Sequence, residues 1–202
     1  MAAQFSEDVR NDWIDDLVTR LSTGALLDLR TGDAPANCAA SATGTLIAQI
    51  ALPSTFLSTP SGGSASLSGT WEDTSANNSG TVGHYRMTTS GGTCKHQGAV
   101  SQAFKLTTNA TTAANSNVLK FSSASGVTAG MSIYGTGVPT GATVLGVSGG
   151  DVTMSAPSTS GVTSSTDVYF GDVSGQLWLV NTAITATQPV TITAWSITMG
   201  GA

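Results

Sequence analysis

Residues 79–99, SGTVGHYRMTTSGGTCKHQGA, decide the fold. Residues 81–88 are rich in β-branched and aromatic side chains, Ser90-Gly91-Gly92 supplies a turn, and residues 93–100 run back, the signature of a β-hairpin. Tyr85 and Met87 share one face of the first strand, and His84 and Arg86 share the other. The expectation is one buried face and one that is wet or used.

The flanking sequence reads as further strands. Before the hairpin come 25–29, the loop 31–42 and 45–52, where Leu46, Ala48 and Ile50 alternate with Thr45, Ile47 and Gln49. Residues 56–66 read as loop, 67–71 as a short strand and 72–80 (EDTSANNSG) as a polar loop. After the hairpin, 176–181 (QLWLVN) and 189–199 (PVTITAWSITM) read as two long strands that return to pair with the hairpin. The apolar parity of the second switches near Ala194, implying a bulge or burial on both faces.

Between them, residues 104–171 change character: almost no charge, repeated Val and Thr, and crowded glycine turns. Strands are expected at 118–121, 131–134, 142–148, 152–155 and 168–170, with Gly149-Gly150 turning a hairpin. This segment reads as a small β-module inserted into one domain formed by 1–103 plus 172–202. Insertions of this kind sit on exposed loops.

At the N-terminus, residues 6–22 form the one convincing helix. Val9, Trp13, Leu17 and Leu21 recur every four residues, with Ile14 and Val18 widening the stripe. Ser6 can cap it, Glu7, Asp8 and Asp12 suit its positive end, Arg20 suits the other end, and Gly24 stops it. A helix of about 17 residues is marginal alone in water. It must dock, on its own sandwich or on a partner, and Trp13, Leu17 and Leu21 are the candidate subunit or partner interface.

The 202 residues suffice for a real hydrophobic core. Only 9% are charged, against about a quarter in a typical soluble domain, with Gly, Ser, Thr and Ala in their place. That suits an all-β surface or assembly protein better than a metabolic enzyme. A net charge of −5 without a basic cluster argues against nucleic-acid binding. No apolar run approaches the roughly 18 residues that span a bilayer, and no secretion signal is recognisable. A soluble protein made in a cytoplasm is expected. Cys38 and Cys94 are too few for a disulfide framework and are expected as two buried thiols, a bridge between them being the alternative.

Three segments carry a family resemblance: 26–52 (LLDLRTGDAPANCAASATGTLIAQIAL), 79–100 (SGTVGHYRMTTSGGTCKHQGAV) and 177–199 (LWLVNTAITATQPVTITAWSITM). With the preceding helix they resemble small tailed-bacteriophage virion proteins that share a G-x-x-P loop (Gly32, Pro35), a GT-x-x-x-x-R strand (Gly80, Thr81, Arg86) and a C-terminal V-T-I-T strand (190–193). Gln188-Pro189 departs from the Gly-containing turn usual there. Segment 127–156 is similar to a β-module of phage fibre and decoration proteins. The resemblance implies a mainly β protein, a jelly-roll-like antiparallel β-sandwich with one N-terminal α-helix and an inserted small β-module. It further implies a head decoration (cement) protein on the outer capsid surface, synthesised in the bacterial host cytoplasm, bound to the major capsid protein and often trimeric. A receptor- or carbohydrate-binding fibre or tail module is the alternative, with a host-surface glycan as its ligand.

Candidate chemistry is sparse. Cys94 and His96 on one strand, His84 on its neighbour and Cys38 could form a Cys2His2 zinc site, but C-x-H without a C-x-x-C knuckle is ordinary strand sequence. No G-x-S-x-G or Ser/His/Asp arrangement supports a hydrolase. The pairs Asp15-Asp16 and Glu72-Asp73 diverge on a helix or strand and read as solvated surface. Trp71 beside Glu72, Asp73, Asn77 and Asn78 could make a sugar platform or loose calcium loop, or simply a turn. The expectation is therefore no catalytic, cofactor-binding or metal residue, no cofactor, no nucleic acid and no membrane.

Overall fold

A computed structural model describes residues 4–21 and 23–200. The chain divides into two compact units, Met1–Val100 with Gly175–Ala202 and Ser101–Ser174. Both are mainly antiparallel β-structure, and the first carries the single helix found among the described residues.

The first unit begins with α1 (Glu7–Leu21); the expected end at Ser22 lies outside the described residues. There follow β1 (Leu26–Thr31), β2 (Leu46–Ala51), β3 (Ser64–Ser66), β4 (Trp71–Asp73), β5 (Gly80–Thr88) and β6 (Cys94–Thr107), the last of which passes into the second unit at Ser101. The hairpin forms as its sequence indicates: Thr89 N donates to Thr93 O, Gly92 N donates to Thr89 O, and Gly92 takes φ +80°, where glycine is favoured.

The second unit contains β7 (Val118–Lys120), β8 (Ile133–Gly135), β9 (Val144–Ser148), β10 (Asp151–Met154) and β11 (Asp167–Gly171). Here β11 lies between the distal half of β6 and β8, while β7, β10 and β9 make a separate three-stranded sheet. Phe170, Phe121, Leu119, Ile133, Val152 and Val168 belong to its core. Short strands leave many backbone groups to other partners, and buried hydroxyls answer several of them. Thr108 Oγ1 donates to Thr163 O and accepts from Thr166 N, and Thr112 Oγ1 donates to Val118 O. The Thr-rich composition thus stands in for regular ladder bonding.

The chain returns to the first unit with β12 (Leu177–Leu179), β13 (Ala183–Ile184), β14 (Val190–Ile192) and β15 (Ser196–Thr198). The order β2-β1-β5-β6 forms the main sheet, with β12 on β6 and β13 on β5. Two small ladders, β14–β4 and β15–β3, supply the opposing apolar groups, giving a sandwich-like arrangement. Two expectations are corrected here. The short strand expected at 67–71 is replaced by two, β3 within the expected loop 56–66 and β4 beginning at Trp71, and 189–199 is two short strands instead of one long one. The parity switch marks a change of partner, from β4 to β3, with Trp195 O accepting from Leu67 N between them.

The core between these layers contains Leu27, Leu29, Ile47, Ile50, Tyr85 and Met87, with Phe56, Trp71 and Trp195 forming an aromatic cluster at 5.6–6.1 Å ring separations. Ile14 and Leu21 of α1 are fully buried in the same core, and Leu17 and Val18 pack against it. Polar side chains fix the helix further: Asn11 Oδ1 accepts from Gly63 N, Glu7 Oε1 from Gly62 N, and Arg10 Nη1 donates to Gly62 O. Gly63 takes φ +77°, where glycine is favoured, so this turn requires it.

The splice points of each unit lie side by side. Gln176 N donates to Ala99 O in the first unit, and Asp172 N donates to Gln102 O in the second. We expect a chain in which 101–174 is replaced by a Gly-Ser linker to keep a cooperative unfolding transition and β-type circular dichroism, and 101–174 alone to fold as well. Loss of cooperative unfolding in the shortened chain would show that the insert completes the first core.

Candidate functional site

On the outer face of the main sheet, the register sets Gln49, Asp28, Arg86 and Gln97 in one row across β2, β1, β5 and β6, with Arg30 opposite His84 in the next. A row of charged and amide groups would normally face water. Instead His84 and Arg86 are buried, Arg86 to 4% exposure, so of the two alternatives for this face, wet or used, it is not wet. The cover is the 32–43 segment.

Arg86 and Gln97 of this row and Arg30 and His84 of the next grip this segment. Arg86 Nη2 donates to Cys38 O and Ala40 O, both at 3.0 Å, Gln97 Nε2 donates to Pro35 O, and Arg30 Nε donates to Thr43 O. His84 Nδ1 lies 2.9 Å from Gly32 O, a carbonyl that can only accept, so Nδ1 carries the proton. A side chain at Gly83 would collide with Gly32 O, which explains glycine where the loop lies on the strand.

A Cys38–Cys94 disulfide closes the arrangement, linking the loop to the start of β6. The expectation of free thiols is thereby corrected: the polar clasp brings the two Cα atoms to 5.1 Å, within bridging range. The Cys2His2 arrangement weighed from the sequence does not assemble either. Its two sulfurs are bonded to each other, and His84 and His96 lie at different levels of the ladder, opposite Ala99 and Met87. His96 Nδ1 shares a 3.1 Å hydrogen bond with the Tyr85 hydroxyl, and its ring packs on Tyr85 and Trp195. Burial holds its imidazole below the usual histidine range and pushes the Tyr85 phenol up.

A cavity of about 440 Å³ lies beside the clasp, lined among others by Asp28, Ser41, Arg86, Thr88, Ser90 and Thr93. A smaller one of about 170 Å³, lined by segments 178–184 and 188–193, has no charged lining residue. Trp71 is fully buried, which removes it as a sugar platform. The acidic loop after it braces the sheet instead: Asp73 accepts from Gln49 N and Ser75 N, and Asn78 Nδ2 donates to Leu46 O.

Of the three candidate interface residues, Leu21 is fully buried and Leu17 half-buried against the chain's own core, while Trp13 remains 42% exposed. Its ring meets exposed Phe5 edge-on at 4.7 Å. Glu7, Asp8, Asp12 and Asp16 are exposed on the same helix, where Asp16 pairs with Arg20. The clasp itself was not legible in the sequence, although the G-x-x-P loop and the hairpin arginine were its signal.

Two outcomes follow from this geometry. Replacing both cysteines by serine should lower stability by about 2–4 kcal/mol in denaturant unfolding, since the bridge closes a loop with a sequence separation of 56. The second concerns pH. Burial favours neutral His96 in the fold, whereas in the unfolded chain its imidazole takes up a proton near the ordinary histidine value of 6.5. This contribution is therefore intact above 6.5 and is lost as pH falls below it towards the lowered folded value. The melting temperature should fall from pH 7 to pH 5, and His96→Gln should flatten that fall; an unchanged profile in the variant would contradict it. Comparison with protein-family models, curated proteins and solved structures finds no match, so the chain's own residues carry the functional reading.

Proposed function

We propose that the chain is a structural virion protein, a jelly-roll-like decoration (cement) protein that binds the major capsid protein of a tailed bacteriophage as a homotrimer. The observation that carries this reading is the Phe5–Trp13 pair, an exposed aromatic contact at a helix whose Ile14, Leu17, Val18 and Leu21 pack on the core. Acidic groups around it suit a basic, apolar recess on a partner. The motif residues behind the resemblance support the reading too. Gly32, Pro35 and Arg86 all take part in the loop clasp, a use suited to a rigid scaffold.

One observation favours the second reading, a receptor-binding fibre or tail module. In the charge-poor second unit Tyr134, Leu145 and Val147 are exposed apolar side chains that a receptor could contact. Copy number in purified particles separates the two: parity with the capsid protein supports decoration, and a few copies support a fibre.

The double variant Phe5→Ala, Trp13→Ala should melt within about 1 kcal/mol of the parent, because both side chains are already exposed. It should lose co-sedimentation with capsids, and light scattering of the parent should give a trimer. Undiminished capsid binding by the variant would reject the helix as the contact.

A further inference from the structure

We infer that the cavity between the 38–42 loop and the 90–93 turn binds a compact monocarboxylate bearing hydroxyl groups, of the hydroxy-acid or sugar-acid class, with Arg86 as its counter-charge. The cavity, at about 440 Å³, falls in the range of small-molecule sites. Its floor is buried, at Arg86, Thr88 and Cys94, whereas Ser41, Ser90 and Thr93 at its rim are exposed. It is therefore a recess that opens to solvent.

The guanidinium on that floor is short of partners. Nη2 is occupied by two loop carbonyls, but Nε and Nη1 are buried and have no hydrogen-bond partner. An arginine keeps its charge in any such environment. The carboxylate opposite it, Asp28, is already engaged: Oδ2 pairs with Arg30 Nη1 at 3.3 Å and Oδ1 accepts from Gln49 Nε2 at 2.8 Å. Among the described residues no ion pair joins Arg86 to any carboxylate. A buried cation answered only by carbonyl dipoles is costly, and an anion in the adjoining recess offsets that cost. Nε and Nη1 are covered, so the anion reaches them through a small rotation of the guanidinium towards the recess.

The lining also selects the ligand. Asp28 and Arg86 are its charged lining residues, and Arg30, outside the lining, neutralises Asp28 by pairing with it, so Arg86 leaves a single positive charge that suits a monoanion and disfavours a phosphate dianion. Hydroxyls from Ser41, Thr88, Ser90 and Thr93 both donate and accept, matching a polyhydroxylated ligand, and no aromatic ring lines the recess to stack a base. A free sugar acid and the uronate end of a polysaccharide share this chemistry.

Titration calorimetry of the full chain at low ionic strength tests it, with galacturonate as probe and galactose as its neutral counterpart. Galacturonate should bind saturably and galactose about tenfold more weakly or worse. Ser90→Trp, on the exposed rim, should block galacturonate while leaving the melting temperature and capsid co-sedimentation unchanged. Arg86→Lys, which keeps the charge without the fork, should weaken it. Trigalacturonate binding as well as the monomer points to a polysaccharide end, and its exclusion points to a free acid. Absence of saturable galacturonate binding, equal binding of galactose, or unaltered binding by Ser90→Trp would each overturn the inference.

Discussion

A guanidinium buried in the middle of a sheet face needs acceptors there, so whatever is folded over it must supply them. In this chain Arg86 occupies that position, and the 32–43 segment is the answer: the carbonyls of Cys38 and Ala40 take two of its hydrogen bonds. Gln97, Arg30 and His84 bind the same segment at three further points. The segment lacks an apolar anchor of its own, being built of Gly, Asp, Ala, Pro, Asn, Ser and Thr around one cysteine. Polar contacts and one covalent bond therefore do the work that hydrophobic burial does elsewhere. Such a network is strong when every member is satisfied and costly when one is not, which makes the remaining unpaired edge of Arg86 chemically informative.

The clasp also explains how a chain so poor in charge uses its few ions. Asp28 and Arg30 form a pair that is largely buried beneath the loop, whereas the Lys105–Asp167 and Lys120–Asp151 pairs of the second unit stand half-exposed at 2.8 and 3.3 Å. Exposed pairs of that kind contribute little to stability. The second unit relies instead on an aromatic core around Phe170, with Phe104 and Phe121 at 5.9 and 5.6 Å, and on buried threonine hydroxyls. Each unit has its own core and its own way of satisfying irregular backbone.

The helix joins these constraints to the proposed role. Its buried residues, Ile14 and Leu21, lie on the chain's own core, and Glu7, Arg10 and Asn11 are tied to the Gly62-Gly63 turn. A helix held that firmly presents Phe5 and Trp13 at low entropic cost, which is what a preorganised contact needs. The recess beside Arg86 is built from different residues, so binding there and assembly through the helix can vary independently.

Sequence alone determined the elements whose signal is local. The hairpin of β5 and β6, the amphipathic helix, the mainly antiparallel β class and the turns at glycine all follow from periodicity and backbone preference within a few residues of one another. Tertiary structure decided everything that depends on what covers a face. Alternation along β5 separates Tyr85 and Met87 from His84 and Arg86, but it cannot say that the polar side is roofed by a loop some 50 residues earlier. Cys38 and Cys94 look like stray thiols until that loop is in place, and Trp71 looks like a platform until β14 pairs with β4. Leu17 and Leu21 fit a partner or the chain's own core equally well on a helical wheel. Only the position of the sheet beneath them sets Leu21 inside and leaves Trp13 out, because burial is a property of the neighbours and not of the residue.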